Sequence, residues 1–287
     1  MKVLVVGHHR QPRAIDLARV AASWLSDRGH SCGVGESDVA ALSDSGLHTF
    51  EGDPSEADLV LCLGGDGTVL RAVRLLDGAP VPIIGVNLGN LGYLTEVEGD
   101  ELPDALERFT QGPDLGEWFA EDRMMLSVEA HSSDGSSLGQ WTVLNEAVVE
   151  KRQSGNTVRL NLIIDGNAFT SYAADGLIVS TPTGSTAYSF SARGPVVSPR
   201  HRAMLVTPVA PHMLFDRSLV LDPSEIVEIE VAGHRSAALV VDGVTVADLD
   251  DASRVTCKPS SRTASFIRFG EHRYHQVLKA KFSLFDR

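Results

Sequence analysis

The pentapeptide Gly-Gly-Asp-Gly-Thr at residues 64–68 has the composition of a phosphate-binding loop. It follows an apolar stretch, residues 57–63, and precedes a stretch with helical periodicity. Glycines lack a Cβ atom, so the backbone can approach a phosphate closely. The start of the following helix adds unpaired N–H groups and the positive end of a dipole. We therefore predict a phosphate site formed by Gly64, Gly65, Gly67 and Thr68, although the loop matches neither the P-loop nor the G-x-G-x-x-G pattern.

Asp66 is the unusual member of this loop, because a carboxylate among phosphate-binding glycines repels phosphate. Three chemical roles are open to it: holding Mg²⁺, accepting a proton, or hydrogen-bonding a ribose hydroxyl. The alternative is a tight turn in which the aspartate bonds its own backbone. The strand before the loop and the helix after it favour a functional role.

A second polar segment, residues 175–191, reads D-G-L-I-V-S-T-P-T-G-S-T-A-Y-S-F-S. It runs from a predicted strand into a turn with six serine or threonine residues between Ser180 and Ser189. A turn that caps a helix explains two or three of these hydroxyls, but not all of them. Tyr188 offers an aromatic face to a nucleobase. We therefore predict hydroxyl donors around an open loop that binds a ligand.

The elements that position these segments differ between the two halves of the chain. In the first 110 residues, apolar strands at 3–6, 57–63 and 82–86 alternate with helices at 13–28, 69–77 and 100–110. This alternation predicts an α/β domain with a mostly parallel sheet covered on both faces.

From residues 113–121 onward the apolar residues recur with period two, which predicts an antiparallel, sandwich-like β domain. The segments 125–130, 141–151, 157–164, 226–231 and 237–241 are predicted strands. The dipeptides at 165–166 and 242–243 are Asp-Gly, which is typical of hairpin turns. Asn145 and Glu146 interrupt the apolar stretch 143–149, and their burial is unfavourable unless a ligand binds them.

Composition narrows the class of protein. The formal charge is −13 over 287 residues, which argues against a nucleic-acid-binding protein, since such proteins carry a basic face. No apolar run reaches the roughly 20 residues of a membrane span, and no targeting segment is visible. The three cysteines share no metal or disulfide spacing, which favours a reducing cytoplasm. The ten histidines show no ligand spacing either.

Taken together, these segments resemble the NAD kinase family. Residues 64–68 match its G-G-D-G-T signature, and residues 87–94 resemble its N-x-G-x-L-G-F-L segment, with Tyr93 in place of Phe. Asn145-Glu146 matches an N-E pair, and residues 175–191 match D-G-x-x-x-S-T-P-T-G-S-T-A-Y-x-x-S. Pro211-His212 and the sequence R-S-L-V at 217–220 look like its P-H…R-P-L-V stretch. The likeness runs from the first strand to residues 265–269.

The resemblance implies an α/β domain at 1–118, a β-rich NAD-binding domain at 119–264, and a tail at 265–287 that returns to the first domain. It implies an active site between the domains, and a homodimer or homotetramer whose subunits can share a site. The implied reaction transfers the γ-phosphoryl of ATP, with a divalent cation such as Mg²⁺, to the adenosine-ribose 2′-hydroxyl of NAD. It does not indicate which residues bind the metal.

By the same resemblance, Asp66 accepts the proton of the 2′-hydroxyl, and Arg71 adds positive charge near the diphosphate. The NAD contacts implied, besides Asp66, are Gly67, Arg71, Asn145, Glu146, Asp175, Thr186, Ala187, Tyr188, Ser189 and Ser191. The sequence departs from the family at Arg193, where Gly is common, at Ala173, and at Val244. These departures leave the preference between NAD and NADH open.

Two other functions are compatible with parts of this sequence. One is a kinase with the same loop that acts on diacylglycerol or sphingoid lipids, which should show a basic or apolar membrane face. The net charge of −13 gives it no support. The other is a catalytically silent regulator that binds a dinucleotide, and the presence of Asp66 argues against it.

Overall fold

Short apolar segments near the N-terminus form the three parallel strands predicted for this half of the chain, and two shorter strands that were not predicted join them. The structure is a computed structural model and describes residues 1–8, 11–40, 42–89, 91–115, 117–153, 155–271 and 274–284. The first strands are β1 (Lys2–Gly7), β2 (Ser31–Val34), β3 (Leu59–Leu63), β4 (Ile83–Asn87) and β5 (Val97–Glu98). Their order is β2-β1-β3-β4, with β5 beside β4, and every pairing is parallel.

Three helices cover these strands: α1 (Pro12–Ser26), α2 (Asp66–Leu76) and α3 (Leu102–Gln111). The buried residues of α1 recur every three to four positions, and they share one apolar cluster with α3 and with one face of β1 and β3. The buried residues of α2 lie outside that cluster, while α2 contacts β1, β3 and β4. It therefore covers the other face, which explains why β3 and β4 are buried at every position.

Helix α2 begins three residues before the predicted start at residue 69. Gly65 is its N-cap in an extended conformation, and Asp66 lies in the first turn. A negative charge is favourable there, because it opposes the positive end of the helix dipole. The helix therefore begins inside the glycine loop, and Asp66 and Gly67 belong to the helix start.

The second half of the chain is built from antiparallel strands, as predicted, with one very short helix. These elements are β6 (Phe119–His131), β7 (Ser137–Val143), β8 (Glu146–Lys151), β9 (Val158–Ile164), β10 (Asn167–Ala174), β11 (Gly176–Ser180), α4 (Tyr188–Ser191), β12 (Met204–Val209), β13 (Leu219–Leu221), β14 (Val227–Ala232), β15 (Ala237–Val241), β16 (Val244–Leu249) and β17 (Arg254–Arg268). One sheet has the order β13-β12-β11-β8-β15-β16, and β10, β9, β14 and β17 pair in that order in another. A single apolar cluster takes buried residues from both sets of strands, which is the arrangement of a sandwich.

Both predicted hairpin turns are confirmed. Asp165 and Gly166 have φ values of 48° and 72°, and Asp242 and Gly243 have 43° and 79°. Two successive positive φ values are the mark of a type I′ turn, whose twist matches antiparallel strands. The predicted strand at 141–151 is instead two strands, because β7 ends at Val143 and β8 begins at Glu146.

Two compact units divide the chain. Unit 1 takes residues 1–122 and 264–287, and unit 2 takes residues 123–263. The last helix, α5 (Tyr274–Lys281), belongs to unit 1, as does the end of β17, where Phe266 pairs in parallel with Ile83 of β4. In the described part of the chain, no helix combines the length and apolar character that crossing a membrane requires.

Arg193 occupies a backbone conformation that explains why glycine is favourable at this position. Its φ is 66°, and its N–H donates to the Phe190 carbonyl at 3.0 Å. A side chain in this left-handed region costs about 1–2 kcal/mol, partly offset by the greater flexibility of glycine in the unfolded chain. We expect Arg193→Gly to raise the free energy of unfolding by about 0.5–1 kcal/mol in urea denaturation.

The matched control is Arg200→Gly, since Arg200 is also an exposed turn residue but its φ is not positive. This variant should be less stable than the parent protein. A loss of stability in Arg193→Gly would contradict the argument.

Candidate active site

The loop at residues 64–68 leaves space where two of its glycines lie. A Cβ atom on Gly64 would overlap the Thr68 side chain, so packing within the loop requires that glycine. At Gly65 and Gly67, by contrast, an added Cβ would meet no described atom within 4 Å. The open space beside these two residues is therefore available to a ligand.

The helix start provides backbone donors beside that space. The N–H groups of Thr68 and Val69 both point to the Gly65 carbonyl, at 2.9 and 3.3 Å. The N–H groups of Asp66 and Gly67 precede the first intrahelical bond and have no partner within the helix. Thr68 itself is only 5% exposed, so its hydroxyl packs inside the loop. The donors open to an anion are thus mainly backbone groups.

The carboxylate of Asp66 is fixed from outside its own loop. Its Oδ2 accepts the Tyr93 N–H and its Oδ1 accepts the Leu94 N–H, both at 3.0 Å. Gly92 permits this approach, because a Cβ there would overlap Oδ1 of Asp66. Lys281 of α5 lies near the same group, with its Nζ 3.7 Å from Oδ2. The alternative in which Asp66 bonds the backbone of its own turn is therefore wrong.

Arg71 is already engaged within unit 1. Its Nη2 donates to Asp38 Oδ2 at 2.9 Å and to the Gly7 carbonyl, at the carboxyl end of β1. Asp38 is fully buried and also accepts the Gly7 N–H at 3.0 Å. The contact of Arg71 with a diphosphate stays a prediction, and it would have to be made by a guanidinium held in this pair. No sequence pattern indicated Asp38, because it lies in a polar segment without periodicity.

In unit 2, Asp242 gathers the backbone around the Asn145-Glu146 pair. Its carboxylate accepts the N–H groups of Leu144, Asn145 and Glu146 at 2.9, 2.8 and 3.2 Å. This capture of three successive donors is why the chain leaves β7 and starts a new strand, β8. The sequence indicated Asp242 only as a turn residue, because its partners lie about a hundred residues away.

Glu146 is buried with one carboxyl oxygen left unbonded. It is 7% exposed, and Oε2 has no hydrogen-bond partner among the described residues. Burial, and then the neighbouring Asp242 carboxylate, raise the pKa of Glu146 to about 8, although the Tyr188 N–H bonds the carboxyl and lowers it. The buried Ser180 hydroxyl, on the residue that pairs with Glu146 between β11 and β8, also lacks a partner among the described residues. These two groups can serve a polar ligand as donor and acceptor.

Several hydroxyls of the 180–189 segment hold the loop together. Thr181 Oγ1 donates to the Leu144 carbonyl at 2.6 Å and accepts the Gly184 N–H at 3.1 Å. Ser185 Oγ donates to the Pro182 carbonyl at 2.7 Å, and the buried Ser189 Oγ lies 3.1 Å from Thr207 Oγ1. The expectation of open ligand donors therefore does not hold for these three hydroxyls.

Several of the predicted NAD-binding residues in and directly after this segment have accessible side chains. Thr186 and Ala187 are half-buried, and Tyr188 and Ser191 are exposed. Ser189 can face a ligand only through its backbone, because its side chain is buried.

Asp175 lies at the other end of the same strands. In the pairing of β11 with β8, Gly176 faces Glu150 and Ser180 faces Glu146, about 13 Å apart along the strand. Asp175 forms an ion pair with Lys151 at 2.6 Å. The pKa of Tyr188 is raised first by burial and then by the charges of Glu150, Asp175 and Glu146. The phenol is therefore affected by carboxylates at both ends of the paired strands. These polar groups of unit 2 thus lie at both ends of the paired strands.

A resident metal would need a set of ligands. In the described part of the chain, no group of three His, Cys, Asp or Glu residues is placed to hold one. Mg²⁺ commonly binds one or two carboxylates together with substrate phosphates. Asp66 lies beside the open glycines and can serve as one such carboxylate for a Mg²⁺ ion that is also bound to substrate phosphates.

The α/β unit with its glycine-rich helix start, and the antiparallel β unit, each match a family model of the ATP-NAD kinases. The ATP-NAD kinase N-terminal domain model matches residues 3–114, and the C-terminal domain model matches residues 144–269. The chain belongs to the NAD kinase family.

Relatives and solved structures agree with this assignment. The chain is 38% identical to the NAD kinase of Heliobacterium modesticaldum over 278 residues, 96% of each chain. It is 37% identical to that of Corynebacterium diphtheriae, over 99% of this chain and 91% of the relative. The crystal structure of yeast NADH kinase with NADH has a TM-score of 0.89, at 24% identity, over 100% of this chain and 89% of that one. An Archaeoglobus fulgidus NAD kinase with ATP has a TM-score of 0.75, also at 24% identity, over 100% of both chains. The two structures show the fold.

The close approach at Gly92 gives a prediction for activity. In Gly92→Ala the new Cβ must displace the Asp66 carboxylate. Displacing a reacting group by about 1 Å can lower turnover by roughly a hundredfold. We expect a loss of that order in NADP formation with NAD and ATP. Gly89→Ala is the control, since a Cβ at Gly89 meets no described atom within 4 Å. Equal activity of the two variants would contradict the role of Gly92.

The raised pKa of Glu146 gives a prediction for stability. A carboxyl with pKa about 8 when folded and about 4.5 when unfolded binds its proton more tightly in the folded state. Its contribution to the free energy of unfolding therefore falls as pH rises between these values. We expect Glu146→Gln to lose less stability than the parent protein between about pH 5 and about pH 8, measured by urea denaturation.

Glu150→Gln removes a carboxyl from the same strand and serves as the control. If Glu146→Gln and the parent protein changed equally with pH, Glu146 would not be the group that titrates.

Proposed function

We propose that this protein transfers the γ-phosphoryl group of ATP to the 2′-hydroxyl of the adenosine ribose of NAD and so forms NADP. The observation that carries the proposal is the fixed carboxylate of Asp66 at the glycine-rich start of α2. The two backbone N–H groups from Tyr93 and Leu94 hold both of its oxygens. A base held in this way needs no reorganisation before the reaction.

Asp66 is the proposed general base. Each carboxylate oxygen accepts one backbone N–H and keeps a further lone pair, so the group can also accept the ribose proton. Phosphoryl transfer passes through a loose transition state, and proton removal can therefore come late. The new bond joins the ribose oxygen to the γ-phosphorus, and the bond from that phosphorus to the bridging oxygen of ADP breaks. Most of the acceleration comes from in-line alignment and from neutralising charge.

The phosphates of ATP, or the diphosphate of NAD, are proposed to lie at the open glycines. Gly65 and Gly67 provide the space and the first N–H groups of α2 provide donors. Gly64 and Thr68 shape the loop by packing on each other. We propose that Mg²⁺ arrives bound to the ATP phosphates as part of the substrate.

Unit 2 is proposed to hold the NAD molecule. Glu146, with its unbonded oxygen, and Asn145 would bind ribose and base, while Thr186, Ala187 and Tyr188 would surround a nucleobase. Tyr188 has the exposed ring that this contact requires. Asp175, with Ser189 and Ser191, would complete the site toward the other end of the strand.

Two further proposals concern the protein in the cell. We propose a homodimer or homotetramer, which light scattering on the purified protein would measure. We also propose a cytoplasmic location. It is supported by Cys32, Cys62 and Cys257, which are all free thiols.

The test of the base is Asp66→Asn. General-base catalysis contributes roughly 10²–10⁴ in rate, so we expect kcat for NADP formation to fall by about that factor. The Michaelis constants should change little. Asp104→Asn is the control, since Asp104 also lies in the first turn of a helix of unit 1.

The two other functions predict different results. Formation of labelled lipid from diacylglycerol without NADP would support the lipid kinase. Absence of any transfer by the parent protein would support the silent regulator, and unchanged turnover in Asp66→Asn would exclude Asp66 as the base.

A further inference from the structure

The last helix of the chain, α5, brings a cation to Asp66. Lys281 is the final residue of α5, and its Nζ lies 3.7 Å from Asp66 Oδ2. The same Nζ lies 4.4 Å from the centre of the Tyr93 ring, which is close enough for a cation–π interaction. Lys281 thus contacts both the proposed base and the residue whose N–H orients that base.

Neither contact uses the hydrogen-bonding capacity of the ammonium group. The distance to Oδ2 exceeds a hydrogen bond, and no described residue offers Nζ an acceptor within 3.5 Å. A lysine ammonium has three donors. Among the described residues nothing takes up these donors, and the contact with Asp66 places them beside the glycine-rich start of α2.

On one side, Lys281 lies against an uncharged aromatic ring. Tyr93 packs against Tyr274 of α5, with ring centres 6.2 Å apart. The Tyr93 hydroxyl is buried and has no hydrogen-bond partner among the described residues. Burial raises the pKa of Tyr93 to about 12, so the ring stays neutral and presents its face to Lys281. Asp66 supplies a negative charge 3.7 Å from Nζ.

A contribution to folding does not by itself account for this arrangement. The two charged side chains are 30% and 29% exposed, and ion pairs of such exposure stabilise a fold by little. A transferring phosphoryl group offers the ammonium a second anion, because negative charge is spread over its oxygens.

We propose that Lys281 binds an oxygen of the γ-phosphoryl group during transfer and that, in the free enzyme, its ammonium group lies beside Asp66 without a hydrogen bond to it. This inference rests on the proposed function of Asp66. As the ribose oxygen bonds to phosphorus, its proton passes to Asp66 and the bridging oxygen leaves with ADP. Lys281 takes no part in this proton transfer. Its ammonium group changes partner from the carboxylate to the phosphoryl oxygens.

The test compares the binding of ATP and of ADP to the full chain, by calorimetry without NAD. Only ATP carries the γ-phosphoryl group. In Lys281→Met the affinity for ATP should therefore fall by roughly tenfold to a hundredfold, the effect of one charged hydrogen bond, while the affinity for ADP stays the same. Lys281→Arg should recover part of the difference, because it keeps the charge.

Lys279→Met is the matched control, since Lys279 lies on the same last turn of α5. It should bind ATP and ADP like the parent protein. Turnover should fall in Lys281→Met and not in Lys279→Met, with the melting temperatures of both variants near that of the parent.

Three results would overturn the proposal. They are unchanged ATP affinity and turnover in Lys281→Met, an equal loss for ATP and ADP, or a lowered melting temperature that Lys281→Arg does not restore. A parent protein that binds ATP more tightly than ADP but forms no NADP would instead refute the proposed function, and this result is distinct from all three.

Discussion

The carboxylate of Asp66 accepts two backbone N–H groups from a segment that follows it by 27 and 28 residues. This interaction joins the loop after β3 to the loop after β4, and so ties together the ends of two neighbouring parallel strands. Gly92 must lack a side chain for the carboxylate to fit, and Lys281 comes to the same point from the end of the chain. The loop after β3, the loop after β4 and helix α5 thus meet at this carboxylate, and the strands and helices of unit 1 position them.

In unit 2 an aspartate carboxylate also accepts backbone N–H groups, but with a different consequence. Asp242 collects three consecutive N–H groups and fixes the position of Glu146. In unit 1 the carboxylate that accepts the N–H groups is the proposed reactive group. In unit 2 it is a support, and the neighbouring carboxyl keeps one oxygen that no described residue bonds. Burial, and then the negative charge of Asp242, raise the pKa of Glu146, so the aspartate that positions this carboxyl also favours its protonated form.

Local patterns predicted much of this architecture. Wholly apolar runs indicated β1, β3 and β4, and Asp-Gly dipeptides located two hairpins, because these signals depend on neighbouring residues alone. The roles of Asp242 and Asp38 could not be predicted, since their partners are distant in sequence and a lone aspartate carries no period. The hydroxyls of Thr181, Ser185 and Ser189 were misjudged for a related reason: composition tells how many donors a loop has, but not which of them the loop itself consumes.

Two glycines of the site are enclosed by their own neighbours, and this limits how the sequence can drift. The space that a side chain at Gly64 would need is filled by Thr68, and that at Gly184 is filled by the backbone of Asn145. At position 64 a larger residue becomes tolerable only after residue 68 has become glycine, because the Thr68 Cβ would itself lie 2.7 Å from the added atom. The order of mutations therefore matters. At position 184 no exchange of a side chain can make room, because the obstacle is the main chain. Position 64 can therefore change in two steps, whereas no substitution at another residue makes room for a side chain at position 184.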